Sequence, residues 1–185
     1  MHRDELRKDG FVYFIGAGPG AVDLITVRGK TIIDTADCIV YAGSLVNPRL
    51  FDESAAEIHD SSILNLDEII EIIDKTVKRG GIVARVHTGD PSLYGATKEQ
   101  MVRLDSLGIG YEVVPGVTSA FAASASLTAE LTLPEVTQTV IITRKGGRTP
   151  VPENEDLRLL ASHGSTMMIY LSVGMISGVV TDLIE

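Results

Sequence analysis

The sequence predicts an α/β fold built on a parallel sheet, and two observations carry that prediction. Stretches with strand character alternate with stretches of helical periodicity, as in repeated strand–helix–strand units. The predicted strands are continuous apolar runs, which is typical of a parallel sheet covered by helices on both faces. With 185 residues, 44% of them hydrophobic, the chain is long enough to bury a substantial core.

The predicted elements of the first part of the chain alternate from residue 11 onwards. The strands are 11–15, 38–41, 82–87 and 111–114, and the helices are 26–37, 66–81, 97–108 and 117–127. The helix at 66–81 has the clearest pattern, because its apolar residues recur on one face. These residues are Leu66, Ile69, Ile70, Ile73 and Val77. Acidic residues at its start, basic residues at its end and Gly80–Gly81 beyond it predict its limits.

The segment 128–138, with Pro134 inside it, predicts a linker into a second unit. We place the boundary after residue 131. The N-terminal domain spans 1–131, and residues 132–185 form the start of a C-terminal domain. The second unit contains predicted strands 139–144 and 166–172, a polar loop at 145–156 and a last helix at 173–184. Two strands and two helices make a poor independent domain, so the second domain is expected to be incomplete.

Composition argues against several classes of partner. The net charge of −9 disfavours a surface for nucleic acid or an anionic membrane. The single Cys38 excludes an internal disulfide, and His2, His59 and His163 show no metal-ligand spacing, so no metal is expected. Because no apolar run reaches membrane-spanning length and residues 1–10 are polar, we expect a soluble, cytoplasmic protein.

The first predicted strand runs into the glycine-rich stretch "GAGPGA" at 16–21. This stretch fits the pattern G-x-G-x-x-A of nicotinamide-binding folds, but those folds need an acidic residue near the end of the second strand. The second strand here ends in "YAGSLV", without an acid, and no Gly-Lys-Ser/Thr follows the glycines as in a phosphate loop. An NAD-dependent dehydrogenase therefore remains only a third alternative.

Two further loops of small residues follow predicted strands: "HTGDPSLYG" at 87–95 and "PGVTSAF" at 115–121. The carboxyl ends of parallel strands meet at one edge of the sheet, where open α/β sheets bind ligands. The three loops are therefore expected to converge on one crevice. Peptide groups, Asp90, Thr118 and Ser119 would supply its polar contacts.

Several long motifs together resemble the tetrapyrrole (corrin/porphyrin) methyltransferases, which use S-adenosylmethionine. They are "GAGPGAVDLITVRG", "GDPSLYG", "PGVTSAFAASASLTAELTLPE" and "TMMIYLS". More narrowly, "YAGSLVNPRL", "HTGDPSLYGATKEQ" and "LTLPEVTQTVIITRKGGRTPVPE" resemble the branch that methylates C-11 of precorrin-4 or cobalt-precorrin-4 in cobalamin biosynthesis. The resemblance covers nearly the whole chain after residue 10.

The resemblance implies a homodimer of two-domain α/β chains that hold S-adenosylmethionine in the cleft between the domains. It implies that Pro19 lines this cleft and that Thr88, Gly89, Asp90 and Leu93 hold the methionine and ribose portions. It also implies contacts from Thr118 and Ser119, and adenine contacts from Tyr170 and Leu171 of the second domain.

For the tetrapyrrole substrate, the resemblance implies that Arg49, Arg144 and Arg148 attract the ring's carboxylates, with Asp23 as a further contact. No catalytic residue is assigned, because the sulfonium methyl group is already activated and alignment in a water-excluding cleft suffices. His87 is expected to orient its loop rather than transfer protons.

Family members continue past the equivalent of Glu185, so we expect a C-terminally truncated chain of uncertain activity. One alternative is methylation of another carbon, as in uroporphyrinogen III or precorrin-2, or of a protein or RNA. Another is a module that binds the cofactor without turnover. Whether the substrate carries cobalt stays open.

Overall fold

The computed structural model describes residues 10–184. Its internal contacts divide the chain into two compact units, the first ending at Ala122 and the second starting at Ala123. The boundary predicted from sequence lies later, between residues 131 and 132, and that domain assignment stays a prediction.

The first unit is built on a five-stranded parallel sheet, which confirms the predicted fold class. Its strands are β1 (Phe11–Gly16), β2 (Cys38–Tyr41), β3 (Glu57–Asp60), β4 (Ile82–His87) and β5 (Tyr111–Val114), in the spatial order β3-β2-β4-β1-β5. The sequence prediction missed β3. This strand reads "EIHD", and Ile58 is its single apolar residue. It is an edge strand that pairs with β2, so it needs no apolar run on both faces.

Helices cover both faces of this sheet, as the continuous apolar strands predict. The helices that cover it are α1 (Val27–Thr35), α2 (Leu66–Lys78) and α3 (Lys98–Ser106), whereas a fourth helix, α4 (Ser119–Ser126), follows β5 and crosses the boundary between the two units. On one face, Ile32 of α1 packs in a cluster with Ile15. On the other face, Ile73 of α2 and Leu104 of α3 pack in a cluster with Phe14.

The strand order creates a topological switch point between β1 and β4. From β1 the chain passes by way of α1 to β2, on the far side of β4, whereas from β4 it passes by way of α3 to β5, on the far side of β1. The two connections lie on opposite faces and diverge, so a crevice opens at the carboxyl ends of these two neighbouring strands.

Local signals define the ends of α2 well. The Asn65 side chain accepts from the Glu68 N–H and the Glu68 side chain accepts from the Asn65 N–H, which forms a capping box. The helix ends at Lys78 rather than at the predicted residue 81, because Gly80 adopts a left-handed conformation with φ of 78°.

The second unit contains two parallel strands, β6 (Val140–Arg144) and β7 (Thr166–Tyr170), and the helices α5 (Leu157–Ala161) and α6 (Ile176–Ile184). The predicted strand 166–172 ends early because Leu171 has a φ of 55°, outside the extended region. The first residues of the predicted last helix form a 3₁₀ turn, Val173–Met175.

Candidate functional site

Three loops meet at the switch point of the first unit, as the sequence analysis expects. The loops are 17–20 after β1, 88–97 after β4 and 115–118 after β5. Gly18 and Gly89 exchange two backbone hydrogen bonds, with N–O distances of 3.2 and 2.8 Å, and the Ala17 N–H donates to the His87 carbonyl at 2.7 Å. The first two loops are therefore joined through their backbones.

Glycines bring the third loop against the other two. A Cβ atom on Gly116 would lie 2.1 Å from the Gly89 carbonyl oxygen and 2.7 Å from the Gly16 Cα. A Cβ atom on Gly16 would likewise lie 2.5 Å from the Gly89 oxygen. Glycines in loops of this kind let a ligand approach the backbone closely. At 16 and 116 the structure gives a different reason, since there the loops approach one another.

The Asp90 carboxylate clamps two of the loops. One oxygen accepts from the Gly116 N–H at 2.9 Å, and the other accepts from the Ser92 N–H at 2.9 Å and from the Ser92 hydroxyl. Partial burial works to raise the pKa of Asp90, but the hydrogen bonds from Ser92 and Gly116 outweigh it and hold the pKa below its usual value. Asp90 is therefore ionised at neutral pH, and both of its oxygens already accept hydrogen bonds within the protein.

The other predicted cofactor residues of the first unit lie on the same three loops, except Ser119, which is the first residue of α4. Thr88 and Ser119 are exposed, Pro19 and Leu93 are half-buried, and Gly89 and Thr118 are buried. The remaining two predicted residues belong to the second unit: Tyr170 is the last residue of β7, and Leu171 follows it with 71% of its surface exposed. Their predicted roles stay predictions.

A surface pocket of about 300 Å³ brings together Asp23 and Arg49, two of the predicted substrate residues. It is lined by Val22, Asp23, Lys30, Arg49, Leu50, Asp52 and Glu53. Asn47, which the sequence analysis missed, connects this pocket to the first glycine loop. Its side-chain amide donates to the Gly20 carbonyl at 2.9 Å, and its oxygen accepts from the Arg49 N–H at 3.1 Å. The signal for Asn47 was available, because Asn followed by Pro marks the start of a helical turn.

The other two predicted substrate arginines belong to the second unit. Arg144 at the end of β6 donates to the carbonyls of Thr149 and Pro150, both at 2.9 Å, and so closes its own loop. Arg148 is exposed within that loop. A substrate contact from either residue stays a prediction.

His87, the last residue of β4, is buried beneath the second loop. Its ring stacks on Phe14 with centroids 5.9 Å apart, and its Nε2 has no hydrogen-bond partner among residues 10–184. Burial, together with the nearby charge of Arg85, lowers the pKa of His87 from 6.5 to about 3. The ring is therefore neutral near pH 7, and its expected role in orienting the loop stays a prediction.

We expect His87→Phe to remove part of the acid sensitivity of the fold. Between pH 6.5 and about 3 the unfolded chain binds a proton at His87 that the folded chain does not, so stability falls as the pH falls. The loss from this group between pH 7 and pH 5 is about 2 kcal/mol. Urea unfolding at both pH values should show the free energy of unfolding dropping less in His87→Phe than in the wild type.

The control for this experiment is His163→Phe, at an exposed position. It removes a histidine from the surface and should retain the pH dependence of the wild type. An equal pH dependence in His87→Phe and the wild type would contradict the assignment of a buried, neutral His87.

Residues 10–184 contain no cluster of three or more His, Cys, Asp or Glu side chains arranged to hold a metal ion. Within the same part of the chain, every helix is too short or too polar to cross a bilayer.

Comparison with known proteins agrees with this architecture. A sequence model of the tetrapyrrole (corrin/porphyrin) methylases matches residues 12–185. A cobalt-precorrin-4 C(11)-methyltransferase of Methanocaldococcus jannaschii is 58% identical over 94% of this chain and 68% of its own length. A precorrin-4 C(11)-methyltransferase of Pseudomonas aeruginosa is 50% identical over 94% of this chain and 70% of its own.

Two solved structures extend the comparison. The X-ray structure of a cobalt precorrin-4 methyltransferase, described as a cobalamin biosynthetic enzyme, superposes with a TM-score of 0.93 at 46% identity, over 97% of this chain and 76% of that one. A uroporphyrin-III C-methyl transferase of Thermus thermophilus, complexed with S-adenosylhomocysteine, superposes with a TM-score of 0.76 at 25% identity. The match covers 95% of this chain and 72% of that one. The family and the enzymatic class predicted from sequence are confirmed. The chain belongs to the tetrapyrrole (corrin/porphyrin) methylase family.

Proposed function

We propose that this protein methylates C-11 of precorrin-4 or cobalt-precorrin-4 in cobalamin biosynthesis, with S-adenosylmethionine as the methyl donor. The observation that carries the proposal is high identity to C(11)-methyltransferases along nearly the whole chain. The residues that form the three converging loops lie within the matched region. The uroporphyrin-III enzyme is more distant in both sequence and structure, so it supports the cofactor rather than the substrate.

The three loops suit S-adenosylmethionine chemically. Thr88 on the second loop and Ser119 at the start of α4 carry exposed hydroxyls that can bond the ribose and the methionine groups. Gly20, with a φ of 121° and no atom within 4 Å of a built Cβ, leaves open space on the first loop. In this proposal the cofactor is held by Pro19, Thr88, Gly89, Asp90, Leu93, Thr118 and Ser119, with Tyr170 and Leu171 at the adenine.

Asp90 has a defined part in this arrangement. Because its oxygens accept from Ser92 and Gly116, the carboxylate fixes the shape of two loops and adds a negative charge beside the binding position. That charge suits the cationic sulfonium and ammonium groups of the cofactor.

The chemistry requires alignment rather than a protein nucleophile. When bound, the sulfonium would supply an activated methyl group: a carbon–carbon bond would form at the ring as the sulfur–methyl bond breaks, the positive charge would pass to the ring, and S-adenosylhomocysteine would leave. The protein holds the two reactants in line and excludes water from the reacting atoms.

The pocket that contains Asp23 and Arg49 offers a subsite for one edge of the substrate. Arg49 is exposed, and its backbone is held by Asn47, so its guanidinium can pair with a ring carboxylate. The acids Asp52 and Glu53 in the same pocket would repel further carboxylates. Contacts from Arg144, a homodimeric assembly and a cytoplasmic location remain proposals that follow from the family resemblance.

The proposal is tested by calorimetric titration with S-adenosylhomocysteine, followed by single-turnover methyl transfer from labelled S-adenosylmethionine to three substrates. These are precorrin-4, cobalt-precorrin-4 and uroporphyrinogen III. We expect one molecule of S-adenosylhomocysteine per chain and label transfer to one or both precorrin-4 forms. Transfer to uroporphyrinogen III alone would replace the proposal with methylation of another carbon. Binding without any transfer would favour a module that holds the cofactor without turnover.

A further inference from the structure

Arg85 of β4 is a charged residue in the core of the first unit, with 5% of its surface exposed. Burial lowers its pKa to about 10, so the guanidinium is still protonated at neutral pH. Its hydrogen-bond partners within residues 10–184 are neutral: it donates from Nη1 to the carbonyls of Val40 at 3.1 Å and Val86 at 3.5 Å, and from Nε to Gln100 Oε1 at 2.8 Å. A buried cation without a carboxylate partner lowers the stability of the fold. The presence of Arg85 in the core therefore calls for a specific role.

Gln100, the third residue of α3, is as deeply buried as Arg85. Because a guanidinium can only donate, the amide oxygen of Gln100 must face Arg85. This orientation directs the amide nitrogen to the Ala96 carbonyl, to which it donates at 3.2 Å. The N-cap residue Thr97 makes no side-chain capping bond, so Gln100 supplies the side-chain link between the start of α3 and the end of the preceding loop.

The loop 88–97 has a conformation that needs such support. Its backbone is left-handed at Gly89, Tyr94 and Ala96, with φ of 59°, 55° and 48°. The two non-glycine residues each cost about 1 kcal/mol or more in this region, so the conformation persists only if neighbouring groups hold it. Asp90 holds the first half of the loop through Ser92 and Gly116, and Gln100 holds its end.

We propose that Arg85 and Gln100 are positioning residues: they hold loop 88–97 in the shape that presents Thr88, Gly89 and Asp90 at the switch point. Through this loop they set the affinity for S-adenosylmethionine. The second statement rests on the proposed function, whereas the first concerns the ligand-free protein alone.

Gln100→Glu separates positioning from general stability. At pH 8 the carboxylate still accepts from Arg85 and neutralises its charge, so global stability should be equal to that of the wild type or higher. The second oxygen, however, now faces the Ala96 carbonyl, and two acceptors repel. We expect amide hydrogen exchange in residues 92–97 of the free protein to be about tenfold faster and the affinity for S-adenosylhomocysteine to be about tenfold weaker.

Two further variants complete the experiment. Gln100→Met fills the same space but loses both hydrogen bonds. It should also increase the rate of amide hydrogen exchange in residues 92–97. Glu99→Gln, at an exposed neighbouring position on α3, is the matched control and should behave as the wild type. If Gln100→Glu does not fold, Arg85→Lys takes its place, because lysine keeps the charge but not the fork that orients Gln100.

The possible outcomes are distinct. Unchanged loop exchange in the Gln100 variants would contradict the positioning role. Faster amide hydrogen exchange in the loop with an unchanged affinity for S-adenosylhomocysteine would contradict the proposed effect on cofactor binding. Faster exchange in a protein whose wild type binds no S-adenosylhomocysteine would support the positioning role and count against the proposed function.

Discussion

Gly116→Ala is expected to destabilise the first unit by about 3 kcal/mol or more and to abolish binding of S-adenosylhomocysteine. The three atoms nearest to the new Cβ are backbone atoms of Gly89 and Gly16, at 2.1, 2.7 and 2.9 Å. Backbone atoms cannot rotate away as the end of a side chain can, so the loops themselves must separate. Urea unfolding gives the free energy, and calorimetry gives the affinity.

Gly174→Ala is the matched control, because a Cβ at that position meets no atom within 4 Å and its φ is not left-handed. It should change the free energy of unfolding by less than about 0.5 kcal/mol. Equal free energies of unfolding for Gly116→Ala and Gly174→Ala would contradict the close contact of the three loops.

Asp90→Asn is expected to weaken binding of S-adenosylhomocysteine at least about tenfold and to lower stability by roughly 1.5–3 kcal/mol. The carboxylate uses both oxygens to accept from Ser92 and Gly116, whereas an amide has one acceptor oxygen. In either orientation of the amide, an N–H donor of the protein faces an NH₂ group. The bond to either the Gly116 N–H or the Ser92 N–H is then lost, and the negative charge beside the cofactor is lost as well.

The pH dependence distinguishes this variant further. Since the pKa of Asp90 is lowered in the folded protein, its contribution is complete above the unfolded pKa of about 4 and is lost as the pH falls through the folded value. Asp90→Asn should lack this acid-dependent loss. Asp67→Asn, which removes one partner of an exposed ion pair with Arg103, is the control and should change little. Equal affinities in Asp90→Asn and Asp67→Asn would refute the clamp.

Much of the fold follows from local pattern. The strands β1, β2 and β4 and the helix α2 were predictable because continuous apolar runs and 3.6-residue periodicity report burial directly. Edge strand β3 was not predictable in this way. With Ile58 as its one apolar residue, its strand conformation depends on pairing with β2.

The candidate site divides along a similar line. Its location was predictable, because small residues after parallel strands indicate a crevice at the carboxyl edge. The direction of the Asp90 side chain was not. A carboxylate in "GDP" is expected from sequence to contact a ligand, yet one of its oxygens accepts from the backbone of a loop 26 residues further along the chain and the other accepts from Ser92.

The two buried polar residues beneath the site left no usable signal. Arg85 stands within the apolar run "IVARVH", and Gln100 is one polar residue among several at the start of α3. Their pairing spans 15 residues, and it joins β4 to α3 in the folded chain. Periodicity reports which faces are apolar, but it does not report which buried polar groups satisfy one another.

Local sequence was thus sufficient for the α/β class, for most elements and for the three loops of the site, because periodicity and turn residues act over a few neighbouring positions. The order β3-β2-β4-β1-β5, the contact of Gly16, Gly89 and Gly116, and the clamps of Asp90 and Gln100 came from the folded chain. With the exception of the Gln100 bond to Ala96, each of these features joins residues far apart in sequence. Such contacts depend on packing and hydrogen-bond satisfaction in three dimensions.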